Sequence, residues 1–213
     1  MAAHRLTSRV IPDEAALRAL LGEPSAIVRA KVSERLNHLT RQFIERSPLL
    51  CLATSDAGGH CDVSPRGDPA GFVRILDDVT LLIPERPGNK LADTLRNIVS
   101  NPRVGILFIV PGVSDSFRVN GRATLIDDPA LLAASTLEGK APKLGILVDI
   151  ESAYTQCSKA FLRSHLWDPA GYVDRDALPS NGEIHKVLHG EGFDAAAYDV
   201  ERAGRYSRRE GFY

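Results

Sequence analysis

Cysteine is scarce in this sequence. Cys51, Cys61 and Cys157 are three thiols at wide spacings with no CxxC pair among them. That excludes a zinc ribbon and a thioredoxin-type redox motif, and no metal site is expected. Isolated thiols suit a reducing compartment, where a buried cysteine packs as a small apolar side chain. Long apolar runs are missing too, so no membrane-spanning helix is expected. The opening MAAHRLTSRVIPDEAALRALL is broken by charges throughout, unlike a signal peptide. These absences make the cytoplasm the expected location. Neither sign of charge is in excess: 26 Lys and Arg face 27 Asp and Glu, for a formal net charge of −1. No global basic field is available to hold nucleic acid, so any functional cations must be local. No GxGxxG loop follows a predicted strand, which excludes a built-in dinucleotide fingerprint.

What is present is a chain of 213 residues, 44% of them hydrophobic, enough for one core with appendages. Residues 1–48 read as a helical segment packing on the domain that follows. DEAALRALLGEP predicts one amphipathic helix closed by Gly22 and Pro24. AIVRAKVSERLNHLTRQFIERS predicts a second, with Ile27, Val32, Leu36, Leu39 and Phe43 near helical spacing. From residue 49 the pattern becomes strands. PLLCLATS, CDVSPRG, FVRIL, VTLLIP, RVGILFIV, FRVNGRATLI and LGILVDIESAY are short runs, mostly joined by tight turns. In FRVNGRATLI, Phe117, Val119, Gly121, Ala123 and Leu125 lie on one face, and Arg118, Asn120, Arg122 and Thr124 on the other. Tight turns require antiparallel neighbours. Six or seven such strands with one long helical insertion predict a mainly β fold, an antiparallel barrel over residues 49–167 with flanking helices. Residues 168–213 are too sparse in apolar side chains for a core of their own and read as a helical appendage.

Local cations gather in four places. RPGNKLADTLRN predicts a helix capped by Asn89, with Leu91, Leu95 and Ile98 on its apolar face. A helix N-terminus carries partial positive charge, yet Arg86 and Lys90 flank this one, so the corner suits a phosphate as well as it suits plain solvent. SPRGDPAGF combines restricting Pro65 and Pro69 with permissive Gly67 and Gly71 around Arg66, although an ordinary hairpin loop has the same composition. The polar face of FRVNGRA carries Arg118 and Arg122, the latter assigned to solvent. CSKAFLRSHLW predicts a helix bringing Lys159 and Arg163 onto adjoining faces, where they repel unless an anion lies between them. Burial is the default for Trp167, and His165 reads as a surface histidine.

In this order the segments resemble the pyridoxamine 5′-phosphate oxidase-like flavoproteins, the FMN-binding split-barrel group. The likeness rests on PLLCLATSDAGGHCDVSPRG, VTLLIPERPGNKLADTLRNIVSNPRVGILF and SFRVNGRATLI, and SPRGD, RPGNK and SKAFLRSHLW are similar to a branch of FMN-dependent enzymes. The resemblance implies an FMN phosphate held by Arg86, Asn89 and Lys90, and a flavin ring running along Val63, Ser64, Pro65 and Arg66. It implies a homodimer whose second copy completes the site with Ser116 and Arg118, and closure by Lys159, Arg163 and Ser164. It also implies an oxidoreductase acting on a small organic molecule, with NAD(P)H binding only transiently. The Trp-Gly-Gly-aromatic-Arg-x-His motif of the vitamin B6 phosphate oxidases is absent from ERAGRYSRREGFY, which counts against that substrate. No catalytic acid or base stands out. Non-catalytic flavin or haem binding, with Cys157 or His165 as axial ligand, and F420-dependent reduction are the alternatives on the same barrel.

Overall fold

The computed structural model describes residues 10–213. Residues 1–9, the start of the stretch judged unlike a signal peptide, lie outside the described residues. The chain divides into two compact units, Met1–Val32 and Ser33–Tyr213. In the first, the Asp13 carboxylate accepts the Ala16 N–H at 2.8 Å and starts α1 (Glu14–Leu21), and α2 (Ala26–Ala30) follows. Neither helix buries a residue.

The single long helix expected from residue 26 onward does not form; helix resumes only at α3 (Arg41–Arg46). Tertiary hydrogen bonds override the apolar spacing. Ser33 exchanges both backbone bonds with Ala153, at 3.1 and 2.7 Å, and the Leu36 N–H donates to the Asp78 carbonyl at 2.7 Å. Asn37 Oδ1 accepts from the N–H groups of Leu39 and Thr40. A continuous helix would forfeit these bonds and expose Leu36, which is buried.

Seven strands, β1 (Leu49–Ser55), β2 (Cys61–Gly67), β3 (Arg74–Ile75), β4 (Thr80–Glu85), β5 (Arg103–Ile109), β6 (Ser116–Ile126) and β7 (Leu144–Gln156), form one sheet among the described residues, in the order β2-β1-β5-β6-β7-β4-β3. Every pairing is antiparallel. The predicted alternation of β6 holds: Phe117, Val119, Gly121 and Ala123 are buried and Arg122 is exposed. A bulge interrupts the β6–β7 register at Asn120/Gly121, and there the partner strand comes so close that a Cβ on Gly121 would stand 2.0 Å from the Asp149 carbonyl oxygen.

The inward faces meet around Leu50, Leu52, Ile83, Ile106, Phe108, Phe117, Val119 and Ile146, all essentially without exposure. Phe43 of α3 stacks on Phe117 with ring centroids 5.7 Å apart, covering one face of the core. α4 (Asp93–Ser100) packs against β1 and β6 through buried Thr94 and Ile98. After α5 (Pro129–Ala133) and β7 comes α6 (Lys159–Arg163), shorter than CSKAFLRSHLW predicted. The turn that ends it lets Trp167, half-buried, stack on Phe161 and donate Nε1–H to the Val113 carbonyl at 3.0 Å.

The appendage forms α7 (Asn181–His189) and α8 (Ala195–Ser207), in contact because Gly182 has no side chain; a Cβ there would lie 2.2 Å from the Ala195 carbonyl oxygen. All three thiols are free, Cys61 and Cys157 exposed and Cys51 half-buried. No helix among the described residues is long and apolar enough to cross a membrane.

Candidate functional site

β2 and β4 sit near opposite ends of the strand order, yet their C-terminal ends meet. Arg66 of β2 forms an ion pair with Glu85 at the end of β4, both largely buried. Just beyond the two strands the polarity reverses: Arg86 Nε donates to Asp68 Oδ2 at 2.7 Å, and the Asp68 side chain is only 3% exposed. Arg86 also donates through Nη2 to the Ser135 carbonyl at 2.9 Å. These two crossed pairs tie the curled sheet to itself. Beside them opens a cleft of about 1210 Å³, bounded by β2, the 84–95 segment, the 140–144 segment and Tyr213.

The α4 corner differs from the sequence expectation. Asn89 does not cap the helix, which starts four residues later at Asp93. Instead Asn89 Oδ1 accepts the Leu91 N–H at 3.0 Å, closing a local turn. Lys90 and Ala92 are both left-handed, at φ 65° and 59°, and Leu91, expected on the apolar face, is exposed. The periodicity misled because Thr94, not Leu91, holds the helix to the barrel. Its hydroxyl donates to Asp62 Oδ2 at 2.9 Å and meets Ser64 Oγ at 3.0 Å, so Ser64 is the donor of that second bond. Two left-handed non-glycine residues within three positions cost about 1–2 kcal/mol each. They turn the loop so that the N–H groups of Asp93, Thr94 and Leu95 head the helix with no acceptor among the described residues.

Of the residues singled out in the sequence, the cleft collects Ser64, Pro65, Arg66, Arg86, Asn89 and Lys90. Val63 is on the exposed face of β2, 65% accessible. Ser116 and Arg118 lie on β6 away from the cleft; Ser116 Oγ is buried without a partner among the described residues, and Arg118 donates to the Tyr154 hydroxyl at 3.2 Å. Lys159, Arg163 and Ser164 are exposed on α6 and the residue after it, also outside the cleft.

Arg86 is held by Asp68 and Ser135, whereas Lys90 makes no ion pair among the described residues. Arg66 keeps a buried Nε with no partner among the described residues. The sequence reading missed Asp68, Glu85, Thr94, Lys140, Lys143 and Tyr213 in this cleft. Asp68 stands inside the SPRGD motif, and EGKAPK was a cation cluster open to notice.

An antiparallel split barrel with a cation-bearing cleft beside the first turn of an inserted helix defines the class. The family model of pyridoxamine 5′-phosphate oxidase matches residues 36–157, more than half of the chain. The protein belongs to the pyridoxamine 5′-phosphate oxidase-like family.

Similar solved structures include HupZ of Group A Streptococcus, at 22% identity and a TM-score of 0.46, over 56% of this chain and 93% of that one. A putative pyridoxamine 5′-phosphate oxidase of Lactobacillus delbrueckii follows at 23% and 0.45, over 57% and 95%. The haem storage protein HutZ of Vibrio cholerae stands at 16% and 0.37, over 55% and 89%. No curated protein matches the chain significantly.

Proposed function

We propose that the protein is an FMN-dependent oxidoreductase acting on a small organic molecule, and that FMN binds in the cleft beside α4. The carrying observation is the α4 corner, where a Lys90 ammonium and three N–H groups, all without partners among the described residues, belong to one strained loop. An anion with several acceptor oxygens satisfies all of them at once. The remaining lining fits a flavin as well. Among the described residues the buried Arg66 Nε lacks an acceptor, and β2 is an edge strand whose outer backbone groups can bond a planar heterocycle.

When bound, the flavin supplies hydride or electron transfer, and the protein contributes binding, orientation and polarity. In this reading Lys90 and the α4 N–H groups hold the phosphate. Arg66 orients the ring edge, its other end fixed by Glu85. Arg86 anchors the seam and supports the loop that carries Lys90. A second copy of the chain completes the site with Arg118, while Ser116 stays buried in its own chain, and Lys159, Arg163 and Ser164 close it. Any nicotinamide binds transiently, in keeping with the missing dinucleotide fingerprint, and the setting is cytoplasmic. Haem is disfavoured. His165 and Cys157 stand outside the cleft, and Tyr213, the lining residue of axial-ligand type, packs its ring near Arg86 and Arg209.

Titrating purified protein with FMN and following the flavin absorption tests the reading. Lys90→Ala should raise the dissociation constant about tenfold, the worth of one charge-assisted phosphate bond. An unchanged constant removes the phosphate from this corner. Anaerobic mixing of the loaded protein with NADH or NADPH should bleach the flavin; no bleaching with either leaves a carrier.

A further inference from the structure

One ion pair stands in the wall of the cleft: Arg66 and Glu85 both line it. Arg66 lies in β2 opposite Leu50, and Glu85 ends β4 opposite Leu144, so a strand ladder fixes the backbone of each. Each also follows a proline, Pro65 or Pro84, whose φ is locked by its ring. The two side chains are 17% and 16% exposed. With so little water around them, their charges act on a neighbouring ligand through a low dielectric and are weakly screened by salt.

The pair closes through Arg66 Nη1 and Glu85 Oε2, while Arg66 Nε is buried and has no partner among the described residues. The guanidinium therefore keeps a donor for a ligand even though its charge is cancelled by the carboxylate. A purely structural role would leave the pair redundant. A buried ion pair adds little to stability over apolar side chains of similar volume. The Arg86–Asp68 pair, 2.7 Å long and just beyond the same strand ends, already ties the sheet to itself. What Arg66 and Glu85 add is a cation and an anion, both held rigidly, at one point of the cleft.

A flavin ring carries more negative charge when reduced than when oxidised, so a nearby cation favours the reduced form and a nearby anion the oxidised one. We infer that Glu85 is a positioning residue that sets the reduction potential of the bound flavin through Arg66, holding the guanidinium against the cleft and cancelling its charge. The inference deepens the proposed function and rests on it for the cofactor. Arg66 alone would pull the potential up, and Glu85 holds it down.

The test is the midpoint potential of full-length protein loaded with FMN, measured against reference dyes together with the dissociation constant of oxidised FMN. Glu85→Gln keeps an oxygen to accept from Arg66 Nη1 and removes only the charge. It should shift binding toward reduced over oxidised flavin at least tenfold, a rise of about 30 mV for a two-electron couple. Arg66→Gln leaves the carboxylate uncompensated and should lower the potential. Arg66→Gln/Glu85→Gln, neutral like the native pair, and Glu85→Asp, which keeps the charge, should each stay within threefold of native, about 14 mV. Loosening of the wall would move both single glutamine variants the same way, so opposite signs are the signature of charge. A Glu85→Gln potential that is unchanged or lower, single variants that shift in one direction, or a Glu85→Asp shift as large as that of Glu85→Gln overturns the inference while the cofactor reading stands. A native protein that takes up no FMN overturns both.

Discussion

At the scale of single residues, the Arg86–Asp68 pair holds the most consequence for stability. The two stand 18 positions apart and meet only because the sheet curls. Both side chains are largely withdrawn from water, so removing one strands the other. Arg86→Ala should destabilise the protein by about 3–5 kcal/mol in urea unfolding, the cost of an unpaired buried charge. A loss below about 1 kcal/mol would mean that water reaches Asp68 freely. The sequence drew attention to Arg86, but for a different reason. A cation beside a predicted helix start invites a phosphate, and nothing local to RPGNK reveals that Asp68 has already claimed it. Lys90 was legible, because its role depends on its neighbours in the chain. Lys140 and Lys143 were not, since they face the same cleft as residues about 50 positions earlier.

Elements were legible where one face packs against one layer. β6 alternates because its inner side meets the core and its outer side meets water, and the burial of Phe117, Val119 and Ala123 follows the pattern. The helical reading beyond residue 30 failed where the backbone has a better partner, the Ser33–Ala153 bridge. α4 shows a subtler failure. Its existence was predicted, but its first turn was displaced by a side-chain hydrogen bond from Thr94 that has no period. The left-handed Ala92 gives this element its own test. Ala92→Gly removes the Cβ clash at φ 59° and should stabilise by up to about 1 kcal/mol, less the extra entropy of glycine in the unfolded chain. That is a rise of about 2–4 °C in melting temperature for a chain of this size. A lower melting temperature would show that the residue is not held left-handed in solution.

For the molecule as a whole, carboxylates on two turns and on α8 contribute to the acid limit. Asp56 is held below its ordinary 3.8 chiefly by the backbone N–H of His60, Asp77 by that of Val79, and Asp199 by the Ser180 hydroxyl followed by the Gly182 N–H. A pKa lower in the folded than in the unfolded state means that folding favours the ionised form. The stabilisation is therefore complete above the unfolded value and is lost as pH falls through the folded one. The urea midpoint should accordingly decline below about pH 4, and Asp56→Asn/Asp77→Asn/Asp199→Asn should flatten that decline. An equally steep decline in the triple variant would place the acid lability elsewhere.

Strand count, antiparallel order and the membership of Phe117, Ile106 and their neighbours in one core were determined by the sequence itself, because apolar alternation and turn chemistry act between adjacent residues. Closure was decided only in three dimensions. Whether β2 reaches β4, which arginine is consumed by a carboxylate, and which lysine remains free to meet an anion all depend on distances across a curled sheet. Coulomb and hydrogen-bond energies follow those distances, and separation along the chain does not encode them.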